Sequence, residues 1–227
     1  RARSLTPRNC RAPEAARVPI AAVICDLDGT LVDSERIYMA ATRVVIAPAT
    51  MSDATYEGWI GRGGFSQWAE ATYGIPADDF RTRVLAEFVR QMEADSAPAI
   101  DGANVLLERF TARGLPLAVA LQSSHPLIEA SLRASRLAHH FRAVVSVQDV
   151  ANVGKPAPDV YLHAAARLGV PPEACLAIED SIVGVQSAVA AGMRVIQSRG
   201  TSFPAPPQPG VHAVIDSLHD FNLDWLG

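Results

Sequence analysis

Residues 20–30 of the chain read IAAVICDLDGT, an apolar run that ends in two aspartates. The run up to Asp26 is apolar on both faces, which predicts a strand (20–26) buried inside a parallel sheet. Because side chains alternate along a strand, Asp26 and Asp28 are expected to point to the same side of its carboxyl end. Ligands bind at that end of the strands in open parallel sheets. We therefore expect the functional site to lie there.

The rest of the sequence alternates short apolar runs with amphipathic segments. Further strands are predicted at 115–121, 143–147, 174–180, 193–197 and 211–215. The predicted helices cover 105–114, 126–137, 158–169, 181–192 and a closing segment that Asp216 caps. Strands separated by helices of about 10–15 residues are typical of a parallel sheet with right-handed crossovers. The expected fold class is therefore α/β, with a doubly wound, Rossmann-like parallel sheet.

An insertion interrupts this alternation after the first strand. Three segments with a 3.6-residue apolar period begin at Glu35, Phe65 and Asp79, and eight of the 14 aromatic residues lie in this interval. That concentration allows a small helical unit to have a core of its own. We predict the following division: a flexible basic tail over 1–17, an α/β core over 18–33 and 98–227, and a helical cap domain over 34–97.

The composition excludes several classes of protein. Of the 227 residues, 49% are hydrophobic and 19% are charged, which excludes a disordered chain. The longest uncharged apolar stretches are only strand-sized, so we predict no membrane span and no membrane partner. The net charge is −4 although residues 1–17 carry +4. The remaining chain is therefore acidic, which argues against nucleic acid as a partner.

The three cysteines bear on the compartment. Cys10, Cys25 and Cys175 show neither a C-x-x-C pair nor the spacing of a metal site. Cys25 and Cys175 lie in apolar runs, which favours buried free thiols and a reducing compartment. We therefore expect a cytoplasmic protein. A separate expectation is that it is a monomer or weak homodimer.

A second acidic pair, Glu179 and Asp180, follows the fourth predicted strand. If that strand lies beside the first, carboxylates from both strands gather at one edge of the sheet. Buried carboxylates repel one another unless a cation or a proton joins them, and Mg²⁺ prefers oxygen ligands. The pattern therefore indicates Mg²⁺ as the cofactor. The alternative is that these acids only cap turns and helices, as Asp180 would do for the helix at 181–192.

A lysine lies in the loop after the third predicted strand. Lys155 is part of the segment VGKPAPD, where Gly154 permits a tight bend and two prolines stiffen the chain. A lysine held at the active edge of the sheet can balance acidic groups or bind a phosphate as a point charge.

Three segments in this order resemble one known family. DLDGTLVDSE (26–35), GKPAPD (154–159) and IEDS (178–181) are similar to motifs of the haloacid dehalogenase superfamily. The similarity covers about residues 19–198 and is closest to the phosphatase and beta-phosphoglucomutase-like branch, whose members carry a helical cap after the first strand. The resemblance thus implies a core of the haloacid dehalogenase type with an inserted cap.

The resemblance also implies roles for single residues. Asp26 would be the nucleophile that becomes an aspartyl-phosphate, and Asp28 the general acid and base. Mg²⁺ would be held by Asp26, the backbone carbonyl of Asp28 and Asp180, with Glu179 in support. Lys155 would steady the nucleophile and the phosphoryl oxygens. Together with Ser123 and Thr30, it makes up our predicted set of phosphate-binding residues.

Three positions depart from the family or concern its substrate. Leu121 occupies the place of a Ser or Thr that donates a hydrogen bond to the phosphate, so Ser123 or a backbone N–H is the alternative donor. Tyr38 occupies the place of a histidine found in beta-phosphoglucomutases, which favours a phosphatase. Arg62, in a glycine-rich turn of the cap, is a candidate for gripping the substrate, or else a surface arginine.

The resulting functional expectation is a Mg²⁺-dependent phosphatase. Its partner would be a small phosphorylated metabolite, such as a sugar or polyol phosphate. Two alternatives stay open: a phosphomutase of the beta-phosphoglucomutase type, or a catalytically weak relative that binds phosphate and metal, because Leu121 offers no donor.

Overall fold

The computed structural model describes residues 18–60, 64–95 and 99–227 of the chain. Its strands are β1 (Ala22–Cys25), β2 (Leu117–Leu121), β3 (Ala143–Ser146), β4 (Cys175–Glu179), β5 (Arg194–Ser198) and β6 (Ala213–Ile215). They form one parallel sheet in the order β3-β2-β1-β4-β5-β6. The chain thus winds outward from β1 on one side and then on the other, which confirms the doubly wound α/β sheet.

Eight α-helices are present in the described residues. Those of the insertion are α1 (Ser34–Ile46), α2 (Asp53–Glu57), α3 (Phe65–Tyr73) and α4 (Ala77–Asp95). Those of the core are α5 (Ala103–Thr111), α6 (His125–Ala134), α7 (Asp159–Leu168) and α8 (Ile182–Ala190). The core helices begin and end within three residues of the predicted bounds.

The alternation of side chains along β1 divides the core into two layers. Val23 and Cys25 face a cluster that includes α5, α6 and the insertion, whereas Ala22 and Ile24 face α7 and α8. All four residues are fully buried. A strand buried on both faces must be apolar throughout, which is why this run could be recognised from the sequence.

The insertion folds as helices and packs against α6 and the residues that follow β1. Phe65 of α3 has the ring centroids of Tyr56, Trp59, Trp68 and Phe80 within 5.9 Å. The buried cluster around these rings continues into the residues that follow β1. Aromatic rings of the insertion thus form its core, as expected from their number. We propose that the segment 34–97 is a cap over the carboxyl ends of the strands.

The closing helix predicted after Asp216 is wrong. The chain instead forms two short 3₁₀ turns, Leu218–Asp220 and Leu223–Leu226. The side chains of Ser217 and Asn222 accept hydrogen bonds from nearby backbone N–H groups and cap these turns. Such local side-chain bonds compete with a continuous helix.

Two further expectations concern membrane spans and the basic tail. None of the helices within the described ranges is long and apolar enough to cross a membrane. The predicted basic tail over 1–17 lies outside the described residues.

Candidate active site

The acidic residues meet where β1 and β4 end side by side. Cys25 pairs with Ile178 in the sheet, so the residues that follow them are neighbours. The backbone N–H of Asp26 donates to the carbonyl of Ile178 at 2.9 Å. Carboxylate oxygens of Asp26, Glu179 and Asp180 lie within 4.8 Å of one another. The structure therefore brings together the three carboxylates that the sequence placed at two separate strand ends.

Lys155 lies between two of these carboxylates. Its Nζ is 2.5 Å from Asp26 Oδ1 and 2.5 Å from Glu179 Oε1, and only 3% of its side chain is exposed. Burial alone would lower the pKa of Lys155, but the carboxylates of Asp26 and Glu179 raise it above its ordinary value. The side chain is therefore a fixed ammonium that neutralises only part of the acidic cluster.

The Glu179 carboxylate is fully occupied by donors of the protein. Its Oε1 accepts from Lys155 and from the hydroxyl of Tyr161 at 3.0 Å. Its Oε2 accepts from the backbone N–H groups of Asp180 and Ser181 and from the Ser181 hydroxyl, all at 3.0 Å. The side chain is 0% exposed. This arrangement suits a residue that holds Lys155 and the β4–α8 turn in place.

Gly184 in α8 makes room for that carboxylate. A Cβ atom added to Gly184 would overlap Oε1, Oε2 and the carboxyl carbon of Glu179. Since Glu179 is enclosed by five donors, it cannot move aside without losing several hydrogen bonds. A glycine is therefore needed at position 184 because the Glu179 carboxylate lies too close for any side chain, and not because the backbone has a positive φ.

Gly184→Ala is expected to lower the free energy of unfolding by about 2–3 kcal/mol or more, because it overpacks a buried polar network. Urea denaturation measures this change. Gly58→Ala is the matched control, since Gly58 has φ −60° and a Cβ there would meet nothing closer than 3.4 Å. Equal stability of the two variants would contradict the proposed close packing.

Asp180 is oriented by the turn that follows β1. The hydroxyl of Thr30 donates to Asp180 Oδ1 at 3.1 Å, and Gly29, at φ 80°, lies against the same carboxylate. A side chain at Gly29 would overlap Asp180. Thr30, which the resemblance assigns to the phosphate, thus contacts a candidate metal ligand in this structure.

Asp28 has one oxygen bound and one without a partner. The hydroxyl of Ser123 donates to Asp28 Oδ2 at 3.2 Å, whereas the buried Oδ1 has no hydrogen-bond partner among the described residues. Burial raises the pKa of Asp28, against the lowering effect of the neighbouring Ser34 and Ser123 hydroxyls and of the Lys155 charge. A carboxyl group in this state can give and take a proton next to a bound molecule.

The donor set around Asp26 fits a hard divalent cation. Burial, together with the neighbouring Glu179 and Asp28, raises the pKa of Asp26 to about 8 despite the opposing charge of Lys155. Burial likewise raises the pKa of Asp180 well above its usual range. One lysine thus does not balance the charge that the cluster carries when its carboxyl groups are ionised. Carboxylate oxygens such as those of Asp26 and Asp180 are the ligand type that Mg²⁺ prefers.

Comparison with known proteins decides the family. The chain matches the haloacid dehalogenase-like hydrolases over residues 20–192. It belongs to this family. It is 34% identical over 185 residues to fructose-1-phosphate phosphatase YqaB of Escherichia coli (strain K12), covering 79% of this chain and 96% of that protein. The expectation of a haloacid dehalogenase-like hydrolase is therefore confirmed, and the phosphatase relative supports a phosphoric monoester hydrolase.

Two further similarities support this assignment. A bifunctional riboflavin kinase/FMN phosphatase of Arabidopsis thaliana is 31% identical over 223 residues; the match covers 90% of this chain but only 55% of that protein. A crystal structure of CbbY from Rhodobacter sphaeroides, a mutant in complex with xylulose-(1,5)bisphosphate, aligns with a TM-score of 0.78. It is 27% identical, and the alignment covers 91% of this chain and 99% of that chain.

The structure locates most of the positions at which this hydrolase departs from the family pattern or at which the sequence indicated a substrate contact. Leu121 ends β2 and is 1% exposed, within the apolar cluster that also contains residues of the insertion. Its hydrocarbon side chain has no hydrogen-bond donor to offer a phosphate. Ser123 is directed at Asp28, and Tyr38 lines a cavity beside it. Arg62, the cap residue expected to touch the substrate, lies outside the described residues.

Sequence reasoning missed two residues of this hydrolase that contact the site. Tyr161 of α7 donates to Glu179, and Glu35 at the start of α1 faces the cavity next to Asp28. Tyr161 sits on an ordinary amphipathic helix, so nothing in its pattern distinguished it from a packing residue. Glu35 is the last residue of the DLDGTLVDSE segment and could have been singled out as a further acid of that motif.

Proposed function

We propose that this hydrolase is a Mg²⁺-dependent phosphatase that acts on a small phosphorylated metabolite, such as a sugar or polyol phosphate, through an aspartyl-phosphate intermediate. The observation that carries the proposal is the cluster of Asp26, Glu179 and Asp180 around Lys155, with the unpartnered oxygen of Asp28 beside it. Together these groups would supply a nucleophile, a counter-charge and a proton donor in one place, which supports the proposal.

Two displacements at phosphorus would complete the reaction. In the first, a carboxylate oxygen of Asp26 attacks phosphorus, the ester P–O bond breaks, and Asp28 gives its proton to the leaving alcohol. In the second, Asp28 takes a proton from water, the water oxygen attacks phosphorus, and the bond to Asp26 breaks. The products are the alcohol and inorganic phosphate, and Asp26 and Asp28 return to their starting states.

The remaining residues of the cluster control charge and position. Asp26, Asp180 and the backbone carbonyl of Asp28 would hold Mg²⁺, which when bound neutralises charge on the transferring phosphoryl group. Lys155 reduces the repulsion between the Asp26 carboxylate and an approaching phosphate dianion. Glu179, whose oxygens are saturated by protein donors, would keep Lys155 from turning away.

Removal of the metal tests this function. Treatment with EDTA is expected to abolish hydrolysis of p-nitrophenyl phosphate, and added Mg²⁺ is expected to restore it. Mg²⁺ at about 100 times its Kd should also stabilise the folded protein by about 2.7 kcal/mol, because it binds only the folded acidic cluster. Asp180→Asn should reduce this stabilisation, which thermal denaturation measures without reference to activity.

The outcomes separate the proposal from its rival. Stabilisation by Mg²⁺ with no turnover on a broad panel of phosphate esters would favour the catalytically weak relative, for which the buried Leu121 is the supporting observation. Full activity in EDTA, with no change in melting temperature, would contradict a role for the metal.

A further inference from the structure

The loop between β2 and α6 carries Ser123, which contacts Asp28. The Ser123 hydroxyl donates to Asp28 Oδ2 at 3.2 Å, while Oδ1 of the same carboxyl group has no hydrogen-bond partner among the described residues. A donor on one oxygen of a carboxyl group favours the proton on the other oxygen. The Ser123 hydroxyl therefore leaves Asp28 Oδ1 as the atom that can exchange a proton with a bound molecule.

Ser146 holds the backbone of Ser123 from the neighbouring strand. It is the last residue of β3, and its partner in the sheet is Leu121, the last residue of β2. Ser146 is fully buried, and its hydroxyl donates to the carbonyl oxygen of Ser123 at 2.7 Å. This bond ties the main chain of Ser123 to the end of the sheet, which is the rigid part of the core.

A 3₁₀ turn after β3 holds the same loop at a second point. The turn, Val147–Val150, begins with a capping box around Ser146, which fixes its first residues. Two side chains of the turn then contact His125. The backbone N–H of His125 donates to Gln148 Oε1 at 3.2 Å, and the ring Nε2 of His125 lies 3.0 Å from Asp149 Oδ1. The end of β3 thus fixes both the start of α6 and the loop before it.

We propose that Ser146 is a positioning residue for the proton transfer: it fixes Ser123 so that the Ser123 hydroxyl holds Asp28 with Oδ1 free for the leaving oxygen. This inference rests on the proposed phosphatase function, because it assigns the proton transfer to Asp28. It gives Ser123 a role other than the phosphate contact expected from the sequence. Misplacing a reacting group by about 1 Å can lower a rate by about 10²-fold, so a bond to the backbone of the loop has a large effect on the reaction.

The two roles considered for Ser123 differ in how they depend on the leaving group. Phenolate is much more basic than p-nitrophenolate, so its departure depends more on a proton from Asp28. The value of kcat/KM covers only the steps up to release of the phenol. A residue that places Asp28 therefore affects kcat/KM of phenyl phosphate more than that of p-nitrophenyl phosphate. A residue that binds the phosphate, or that only stabilises the fold, lowers both values by the same factor.

Ser146→Ala removes the hydroxyl that holds the loop. With Mg²⁺ present, kcat/KM of phenyl phosphate is expected to fall by about 10–100-fold, and that of p-nitrophenyl phosphate by no more than about threefold. The matched control is Ser135→Ala. Ser135 is also buried, and its hydroxyl also donates to a backbone carbonyl, that of Ser131 at 2.8 Å, but at the other end of α6. This control should leave the ratio of the two kcat/KM values within about twofold of the unmodified protein.

Three further variants show whether Ser146 acts through Ser123. Ser123→Ala should change the ratio in the same direction and by at least as much as Ser146→Ala. The variant with both changes should be no more than about twofold worse than Ser123→Ala alone, because residues in one chain of contacts are not additive. Ser146→Thr keeps a hydroxyl at this position and should bring the ratio back towards that of the unmodified protein.

Equal losses for the two esters in Ser146→Ala would overturn the proposal, and so would additive losses in the double variant. The same would follow if Ser135→Ala changed the ratio as much as Ser146→Ala. If Ser146→Ala fails to fold, Ser123→Ala still decides, because Ser146 has nothing to act through unless Ser123 orients Asp28. Equal losses for the two esters in Ser123→Ala would then refute the proposal.

A structural measurement separates this inference from the proposed function. Crystal structures of the unmodified protein and of the Ser146→Ala and Ser135→Ala variants give the distance from Ser123 Oγ to Asp28 Oδ2 without any turnover. We expect this distance to exceed about 3.5 Å, the limit of a hydrogen bond, in Ser146→Ala alone. If the unmodified protein hydrolyses neither ester but the distance changes as expected, the phosphatase proposal fails and the positioning of Asp28 stands. If the distance is the same in all three proteins, the positioning is refuted, whether or not the esters are hydrolysed.

Discussion

Replacing Asp26 by asparagine is expected to lower kcat/KM for p-nitrophenyl phosphate by about 10⁴-fold or more, because no covalent aspartyl-phosphate can then form. The amide has the shape of the carboxylate but is a poor nucleophile. The fold should persist, since Lys155 keeps its contact with Glu179 and one buried negative charge is removed. Initial rates with Mg²⁺, together with thermal denaturation, measure the two effects separately.

Asp224→Asn is the matched control for this substitution. Asp224 is exposed in the last 3₁₀ turn of the chain, so the same chemical change there should leave the rate unaltered. Substantial activity in the Asp26→Asn protein would exclude a covalent route through this residue. Loss of activity accompanied by unfolding would show instead that the carboxylate is needed for structure.

Replacing Lys155 by methionine is expected to reduce stability and activity together. The change leaves Asp26 and Glu179 facing each other without the intervening ammonium, and breaking a buried ion pair costs about 3–5 kcal/mol. The rate should fall by about 10²–10³-fold, as for loss of a preorganised charge at the transferring group. Urea denaturation and initial rates at saturating Mg²⁺ measure the two losses.

Two further variants show whether the losses in Lys155→Met come from the missing charge. Glu179→Gln in the Lys155→Met background should cost less than the sum of the single changes, because removing the second charge relieves the uncompensated pair. Lys155→Arg keeps the charge, but a planar guanidinium is bulkier than the ammonium that fits between the two carboxylates. Lys155 is the only lysine among the 227 residues, beside 19 arginines. If Lys155→Arg retained full activity, charge alone would be sufficient.

The sheet and the acidic cluster were predictable because their signals are local. β1 and β4 are buried on both faces, so they appear as unbroken apolar runs, and their acids follow directly. Lys155 could be recognised from the glycine and prolines around it. Pairing of β1 with β4 then brings Asp26 to Glu179 without further information.

Other features could not be predicted because they depend on contacts between distant segments. The saturation of Glu179 requires Tyr161 from α7, and the space for its carboxylate requires Gly184 from α8. The cavity beside Asp28 is lined by residues of α1, α4 and α6, which are far apart in the sequence. The closing segment was mispredicted because its apolar spacing resembles a helix, while Ser217 and Asn222 bind the local backbone.

The order of the strands also has a consequence for biosynthesis. Ala22 of β1 pairs with Cys175 of β4, its neighbour on one side of the sheet. At translation rates of roughly 5–20 residues per second, the ribosome needs about 8–30 s to make the intervening segment. During that time the apolar β1 emerges without this neighbour, and Asp26 without Lys155 or Glu179. The acidic cluster can therefore assemble only after β4 has been synthesised.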